Sequence, residues 1–497
     1  MPVAAETSRL KQIKRMAGFA IGPVVAALVY FAPLPIPTPA EQTLAAILAW
    51  VVCYWIAEPI PLPITALFGT ALCVLTGLAS AKTVFTSYAH PIIFLFIGSF
   101  LLAEAMAVHA VDRRFASWVL SLAWVGEHPA RILLAIGGIT AVISMWISNT
   151  VTTALMLPIA LGVVHTIRGD PSVDRGGYRT GLMLMLSYAA TAGGLATPIG
   201  TPPNLIGVGL IAEQAGVNIS FATWMAIGCP LALVALMVAW RILWRLHPLE
   251  PSAVTGLARE LREQRHTLGP WTRGQVSASV VFGIAVGLWI FPGFLAVVGG
   301  SDSSLAVWFN QHLPNEVVAI LAAGLLFVLP TSLHRAEFTL SWKQAAAINW
   351  GVILLFGGGL AFGELMVQTG LSHSLGQGFV SFFGSQAVWS LTAVSIVLAV
   401  LVSELVSNTA TASIVIPLVI AIAQSAGVSP VPPALGACLA ASFGFALPVS
   451  TAPNAIVYGT GLVPMKNMIR DGLLFDLLGA GVIWLTLRLL CPLLGLA

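Results

Sequence analysis

The stretch Ser148-Asn-Thr-Val-Thr-Thr-Ala, which runs on to Pro158, decides how this sequence folds, because it occurs twice. The second copy, Ser407-Asn-Thr-Ala-Thr-Ala-Ser, runs on to Pro417 and begins 259 residues later. Both copies lie inside apolar sequence. A single polar triplet in such a place often only bridges neighbouring helices, whereas a repeated one indicates a duplicated functional unit.

Two further pairs of segments repeat at nearly the same spacing. Thr197-Pro-Ile-Gly-Thr-Pro-Pro-Asn is matched by Leu447-Pro-Val-Ser-Thr-Ala-Pro-Asn, 250 residues later. Phe96-Ile-Gly-Ser-Phe-Leu-Leu-Ala-Glu is matched by Phe356-Gly-Gly-Gly-Leu-Ala-Phe-Gly-Glu, 260 residues later. Proline removes a backbone donor and clashes with the preceding turn, so the first of these pairs interrupts its helices. Paired broken helices are typical of secondary transporters with a central site.

The composition predicts an all-α polytopic membrane protein. Apolar residues make up 58% of the chain and charged residues 8%, against roughly 25% charged residues in soluble domains. Eleven apolar spans can be placed, and two further regions, 132–166 and 387–424, each hold a triplet at their midpoint. From charge alone these two regions are either full helix pairs or re-entrant hairpins. The five cysteines are scattered without metal-ligand spacing and are interpreted as packing residues.

The positive charges predict the topology. Alternating spans place all but Lys82 and Arg488 of the 22 Lys and Arg on the side of the N-terminus, which is therefore cytoplasmic. The C-terminus falls on the periplasmic or extracellular side. Basic residues flank 132–166 but not 387–424, so the two regions open to opposite sides. The sequence therefore predicts an inverted repeat.

The repeats and charges together suggest four parts of the chain. They are 1–80, N-terminal scaffold helices; 81–220, the first repeat with the hairpin 132–166 and the broken helix 181–212; 221–347, scaffold helices with a polar cytoplasmic linker at 245–274; and 348–497, the second repeat with the hairpin 387–424, the broken helix 433–460 and the last helix.

The broken helices and triplets provide ligands for ions of both signs. Free carbonyls at a broken helix end suit Na⁺, and free N–H groups suit an anion. Asn149 and Asn408 each supply an acceptor and two donors. No Lys or Arg lies in any of the motifs. We therefore expect the charge of an anionic substrate to be met by helix ends, neutral donors and bound cations.

Three acids within apolar sequence are further candidates. Glu104 and Glu364 occupy equivalent repeat positions, and structural pairing is favoured over a functional role. Glu404 is either a proton site or a hydrogen-bonding residue of the hairpin, and the second interpretation is favoured. The chain has no H-E-x-x-H motif, no G-x-S-x-G motif and no paired membrane aspartates, which argues against an intramembrane enzyme.

Taken together, the motifs closely resemble those of the divalent-anion/sodium symporters, the INDY-type di- and tricarboxylate transporters. The resemblance covers nearly the whole chain and rests on the segments Ser144–Thr150, Ala196–Asn204, Phe356–Gly359, Ser407–Thr411 and Leu447–Asn454. It implies about eleven transmembrane helices plus two re-entrant hairpins, divided into a scaffold domain that forms a homodimer and a transport domain that moves by an elevator mechanism.

The resemblance also implies ligands. Na⁺ would be the coupling ion, held at a first site by Ser144, Ser148, Asn149 and Gly200 and at a second by Ser403, Val406, Asn408 and Ser450. The substrate would meet Asn149, Thr150, Thr201, Pro202, Asn408, Thr409 and Thr451. One departure is Ala452, where the family usually has proline, and this affects the expected specificity more than the fold.

We therefore expect a sodium-coupled importer of C4-dicarboxylates (succinate, malate, fumarate) in the bacterial inner membrane, working by alternating access. Its partners would be a small anionic substrate and membrane lipid, without nucleic acid. The alternatives are an anion exchanger or proton-coupled carrier of the same fold, or a sulfate or tricarboxylate symporter. Symport is favoured over exchange because the chain lacks the glycine-rich or cation-bearing motifs often found in exchanger branches.

Overall fold

The computed structural model describes residues 2–33, 38–112, 114–115, 128–166, 177–249, 269–299, 304–332, 334–383 and 387–497. Most of this backbone is helical, and in these ranges the only sheet pairs the short antiparallel strands β1 (Pro330–Ser332) and β2 (Glu337–Phe338). Residues 250–268, most of the polar linker predicted at 245–274, lie outside the described ranges.

The helices fall into three groups along the chain. Before the first triplet come α1 (Pro2–Phe31), α2 (Pro39–Ala57), α3 (Leu62–Leu75), α4 (Ala81–Thr86), a 3-10 turn (Ser87–Ala89), α5 (Pro91–Val108) and α6 (Pro129–Ser144). The middle group is α7 (Asn149–Thr166), α8 (Tyr178–Gly194), α9 (Pro202–Ala215), α10 (Phe221–Leu246), α11 (Arg273–Gly299), α12 (Ser304–His312), α13 (Asn315–Val328) and α14 (Trp342–Ala345). The last group is α15 (Trp350–Thr369), α16 (Leu371–Phe383), α17 (Val388–Leu405), α18 (Asn408–Ser425), α19 (Val431–Ala440), α20 (Ala452–Gly459) and α21 (Met465–Leu493).

In the described part of the chain, eight helices are long and apolar enough to cross a membrane. The number rises to nine if α12 and α13, which are bent by 60° at their junction, are counted as one span. A span needs about 20 apolar residues, and several apolar helices are shorter because a break interrupts them. The 10-residue α19 is one of these. The chain is thus a multi-span helical membrane protein.

Each Ser-Asn-Thr triplet lies where two helices meet. The helix α6 ends at Ser144 and α7 begins at Asn149, while α17 ends at Leu405 and α18 begins at Asn408. Ser407 is the N-cap of α18, and its hydroxyl accepts a hydrogen bond from the Ala410 N–H. Serine and asparagine bond to nearby backbone groups more readily than they continue a helix, so they favour such starts. The two helices of each pair also pack against one another.

The proline-containing segments form a second pair of breaks. Helix is interrupted between α8 and α9, and again between α19 and α20. Both α8 and α19 are buried on nearly all sides, which explains why their sequences, apart from Arg179 in the first turn of α8, are mostly apolar or small all round. Irregular backbone is tolerated at membrane depth only inside protein or beside a cavity. The packing around the breaks meets that condition.

The two breaks belong to one core. The thiol of Cys438 in α19 lies 3.1 Å from the carbonyl oxygen of Pro203 in α9. The hydroxyl of Ser187 in α8 donates to Oδ1 of Asn454 in α20, at 2.6 Å. Each broken segment of one repeat therefore contacts the broken segment of the other.

The helix α5 is fixed against two other helices. Gly98 lies so close to α13 that a Cβ atom there would be 2.5 Å from the carbonyl carbon of Ala319. Two residues earlier, the ring of Phe96 packs on Phe356 of α15, with ring centres 5.3 Å apart. Only glycine allows the first contact, so these residues set the position of the face that α5 presents to the centre of the molecule.

Candidate functional site

A cavity of about 450 Å³ lies where the triplets and the breaks meet. Both triplets line it, at Ser148–Thr150 and at Ser407–Thr409, and so do both breaks, at Ile199–Pro202 and at Ser450–Pro453. The remaining wall comes from α5 and from residues around the start of α15. Segments far apart in sequence thus form a single site that carries polar groups on a partly apolar wall.

Four helices direct their N-termini at this cavity. Their first residues are Asn149 (α7), Pro202 (α9), Asn408 (α18) and Ala452 (α20), and all four line the cavity. The N-terminus of a helix carries unpaired N–H groups and a partial positive charge. Each such helix end stabilises a nearby anion by about 0.3–1 kcal/mol. No Lys or Arg lies among the described residues that line the cavity. Helix ends and neutral donors therefore supply its positive potential.

The first cluster of oxygen atoms surrounds Asn149. The Ser144 hydroxyl, fully buried at the end of α6, donates to Asn149 Oδ1 at 2.8 Å. Gly194, at the end of α8, leaves room for this amide, because a Cβ atom there would overlap Asn149 Oδ1. The amide is thus held between the triplet and the first break.

Side-chain donors hold the first break in shape. Asn204 Nδ2 donates to the carbonyl oxygens of Gly194 (2.8 Å) and Thr197 (2.7 Å). The Thr197 hydroxyl donates to the carbonyl oxygen of Met145, beside the triplet. Gly200 fits against this backbone, since a Cβ atom there would lie 2.5 Å from the Gly194 oxygen. These bonds pair the carbonyls that a broken helix leaves free.

The second cluster repeats the first. The Ser403 hydroxyl, also fully buried, lies 3.1 Å from Asn408 Oδ1 and 2.8 Å from the Ala441 carbonyl oxygen. Asn408 Nδ2 reaches the Ser442 carbonyl at 3.4 Å. Gly444 packs on Ser403, because a Cβ atom there would lie 3.0 Å from its carbonyl oxygen. Asn408 is therefore held as Asn149 is.

The second break is also held by an asparagine. Asn454 Nδ2 donates to the carbonyl oxygens of Gly444 (2.9 Å) and Leu447 (3.0 Å). These three residues lie 250 positions after Asn204, Gly194 and Thr197, whose bonds they reproduce. The duplication seen in the sequence is thus a duplication of hydrogen bonds.

One difference between the two copies involves a carboxylate. Where the first break has Gly200, the second has Ser450, whose hydroxyl lies 2.7 Å from Glu404 Oε2. The other oxygen, Glu404 Oε1, accepts the Ala446 N–H at 2.9 Å. Both carboxylate oxygens are therefore hydrogen-bonded, as favoured from the sequence, but to the second break and not within the hairpin.

The residues expected to bind substrate all lie on the cavity wall. They are Asn149, Thr150, Thr201, Pro202, Asn408, Thr409 and Thr451. In the described residues, the hydroxyls of Thr150 and Thr409 form no hydrogen bond with protein, so both are available to a ligand. Thr451 Oγ1 instead caps α20 by accepting the Asn454 N–H at 3.2 Å.

The residues expected to hold Na⁺ form two groups beside the same cavity. Ser148, Asn149 and Gly200 line the cavity, and Ser144 lies behind them, bonded to Asn149. In the second group, Asn408 and Ser450 line the cavity, Ser403 is bonded to Asn408, and Val406 is buried nearby in the chain. Three His, Cys, Asp or Glu side chains do not group together anywhere in the described ranges. The oxygens available to a cation here are hydroxyls, amides, carbonyls and one carboxylate.

Some residues of the wall were not assigned to the site from the sequence. Ser99 and Glu104 of α5, Trp146 beside the first triplet and Asn349 before α15 all line the cavity. The repeat that contains Ser99 and Glu104 was a signal for this pair. Trp146 lies within the segment Ser144–Thr150 that carries the resemblance, whereas Asn349 reaches the cavity through packing that no motif indicated.

The buried helices, the duplicated breaks and the central polar cavity are those of an integral-membrane transport protein. A family model described as the sodium:sulfate symporter transmembrane region matches residues 13–496. The chain belongs to this family, whose members are transporters and not enzymes. The resemblance to divalent-anion/sodium symporters is thereby confirmed.

Individual proteins resemble the chain over nearly its full length. It is 32% identical to the sodium-dependent dicarboxylate transporter SdcS of Staphylococcus aureus over 503 aligned positions, covering 96% of this chain and 91% of that protein. The structure resembles the Alcanivorax borkumensis YdaH transporter with a TM-score of 0.56, at 14% identity and covering 96% of each chain. It also resembles Neisseria gonorrhoeae MtrF with a TM-score of 0.54, at 12% identity. That match covers 94% of this chain and 96% of the MtrF chain. These two structural matches concern the fold alone.

Proposed function

We propose that this protein imports C4-dicarboxylates together with Na⁺, by alternating access. The observation that carries the proposal is the convergence of four helix N-termini and two Asn-centred oxygen clusters on one cavity without Lys or Arg among its described lining residues. The 32% identity to a sodium-dependent dicarboxylate transporter supports the same substrate class.

The cation and the anion depend on one another in this arrangement. Asn149 and Asn408 each direct one end of the amide into an oxygen cluster, and both also line the cavity. Unit charges of opposite sign 4 Å apart attract by about 4 kcal/mol at an effective dielectric constant near 20. Bound Na⁺ would therefore attract the anion with a full positive charge, whereas the cavity alone attracts it only through dipoles. We infer that Na⁺ binds first and raises the affinity for the anion.

The position of the cavity supports an inward-facing state. The C-terminal half of α5 and the residues just before α15 line it, including Glu104, Ala107 and Asn349. In the sequence, α5 is followed by Arg113 and Arg114, which the distribution of positive charge assigns to the cytoplasmic side. We propose that the cavity opens to the cytoplasm, that movement of the two inverted repeats closes it, and that the carrier is an elevator-type homodimer in a bacterial inner membrane.

The test is uptake of radiolabelled succinate into proteoliposomes, with an inward Na⁺ gradient or with choline in place of Na⁺. We expect uptake only with Na⁺. Equal uptake in both buffers would refute sodium coupling, and uptake only after preloading with dicarboxylate would make the protein an exchanger. A competition panel of malate, fumarate, citrate and sulfate then defines the anion.

The site assignment has its own test. We expect Asn149→Ala and Asn408→Ala to lower Na⁺-driven uptake at least about tenfold, since each removes a group shared by a cation cluster and the cavity, worth more than the 1.4 kcal/mol of a factor of ten. Asn218→Ala, at an exposed position away from the cavity, is the matched control. Wild-type uptake by either cavity variant would contradict the assignment.

A further inference from the structure

One face of α5 contributes polar groups to the cavity that the proposed ion and anion sites do not use. Ser99, Ala103, Glu104 and Ala107 all line the cavity and recur at helical spacing. The contact of Gly98 with α13 fixes this face in place. It is therefore a built part of the wall.

Glu104 is the one charged side chain among the described residues that line the cavity. It forms no hydrogen bond or ion pair within the described ranges. Its counterpart in the second repeat, Glu364, accepts hydrogen bonds from Ser87 Oγ (3.1 Å) and Gln368 Nε2 (2.9 Å). Structural pairing, which was expected for both acids, is thus seen for Glu364, whereas the Glu104 carboxylate is left facing the cavity.

Ser99 points to a ligand independently. The residue is 4% exposed, and its hydroxyl has no hydrogen-bond partner among the residues that the structure describes. Some buried helical hydroxyls bond to the carbonyl four residues earlier, as Thr140 does to Ile136. Of the described helical hydroxyls that are buried without a partner, which also include those of Thr191, Ser279 and Thr411, only that of Ser99 belongs to a residue lining the cavity. A buried hydroxyl without a partner is unfavourable unless something in the cavity pairs with it.

A carboxylate in a cavity for dianions needs a chemical reason. It accepts hydrogen bonds but donates none when ionised, and it repels a plain dianion. A substrate that carries a hydroxyl or ammonium group between its two carboxylates would donate a hydrogen bond to this carboxylate, which offsets the repulsion. The Ser99 hydroxyl could accept from or donate to the same group.

We propose that Ser99 and Glu104 form a subsite that recognises a hydrogen-bond donor on the carbon chain of the substrate. The subsite selects hydroxy- or amino-substituted C4-dicarboxylates over unsubstituted ones. This inference rests on the proposed function, because it assumes that the two carboxylates of the substrate bind at the helix N-termini.

The experiment measures displacement of radiolabelled succinate from purified protein in Na⁺ by unlabelled succinate, L-malate and L-aspartate. Glu104→Leu removes charge and acceptor together, while Glu104→Gln removes the charge and keeps an acceptor. Glu337→Gln, at an exposed position outside the cavity, is the control. Ser99→Ala tests the hydroxyl.

For Glu104→Leu we expect L-malate and L-aspartate to weaken about tenfold relative to succinate, as for sites built to bond a substrate donor. Glu104→Gln should lose affinity mainly for L-aspartate. Ser99→Ala should lower the affinity for L-malate relative to that for succinate, by a smaller factor than Glu104→Leu does. Equal changes for all three ligands would mean that Glu104 acts only by general repulsion or through a bound cation, and would overturn the subsite.

The two proposals fail differently. If the wild-type protein takes up succinate with Na⁺ and Glu104→Leu leaves the relative affinities for the three ligands unchanged, only the subsite is overturned. Wild-type protein that neither binds nor takes up any of these dicarboxylates overturns the proposed function and the subsite with it.

Discussion

Asn204 offers the sharpest test of how the first break is held in shape. It is fully buried, and its Nδ2 group donates to the carbonyl oxygens of Gly194 and Thr197. Leucine has a similar volume but no donor, so among the described residues Asn204→Leu leaves the buried Gly194 carbonyl unpaired and the Thr197 carbonyl with only the 3.4 Å hydrogen bond from the Gly200 N–H. At about 1–3 kcal/mol for the unpaired group and about 0.5–1.5 kcal/mol for the lost bond to Thr197, the change costs about 1.5–4.5 kcal/mol. The lower value already corresponds to roughly a tenfold shift in an equilibrium constant.

We expect this loss to appear in Na⁺ dependence, because the break contacts the cluster around Asn149. The assay is succinate uptake as a function of Na⁺ concentration, combined with thermal unfolding of the purified protein with and without Na⁺. The half-saturating Na⁺ concentration should rise at least tenfold, and Na⁺ should stabilise the variant less than the wild type.

The second repeat and the surface provide the comparisons. Asn454→Leu should be at least as damaging, because it removes the same two donors and also the acceptor of Ser187. Asn218→Leu, at an exposed position, should behave as wild type. Half-saturation within twofold of wild type in Asn204→Leu would refute the reasoning.

Two other predictions concern the clusters and the wall. Ser403→Ala should raise the half-saturating Na⁺ concentration more than Ser144→Ala, because Ser403 also bonds the Ala441 carbonyl; equal effects in the uptake assay would contradict this. Gly98→Ala should destabilise by about 1–3 kcal/mol through overpacking, whereas Gly138→Ala, a helical position with open space, should stabilise by about 0.5–1 kcal/mol. Thermal unfolding that ranks these two the other way would show that α5 is not fixed by this contact.

The sequence predicted which segments meet at the cavity better than it predicted the number of spans. The repeats at 148 and 407, and at 197 and 447, indicated which segments carry the polar chemistry, because Pro, Gly and Asn have strong local effects on a helix. The number of spans is harder to predict, since a break divides an apolar run into helices of different lengths. The described residues hold eight or nine long spans where about eleven were expected.

The part that the sequence could not predict depends on contacts between distant segments. Ser99 and Glu104 face the cavity because Gly98 packs on Ala319, some 220 residues away. No local pattern encodes that contact.

The replacement of the usual proline by Ala452 affects the structure only locally. The helix α20 still begins at Ala452, with Thr451 as its side-chain cap, whereas Thr201 forms no such bond before Pro202. A proline fixes the first turn of a helix by its own ring, and here a hydroxyl cap accompanies its loss.

A cavity whose described lining contains no Lys or Arg has an electrical consequence. With no basic side chain there, only bound cations offset the charge of the anion at the site. Because the fixed charges of the protein return in each complete cycle, the net current counts the transported ions alone. Two Na⁺ with one dianion would be silent, whereas a third Na⁺ would move one charge, worth about 2.3 kcal/mol per 100 mV of membrane potential. Voltage would then become a driving force in its own right, and its presence or absence would count the ions.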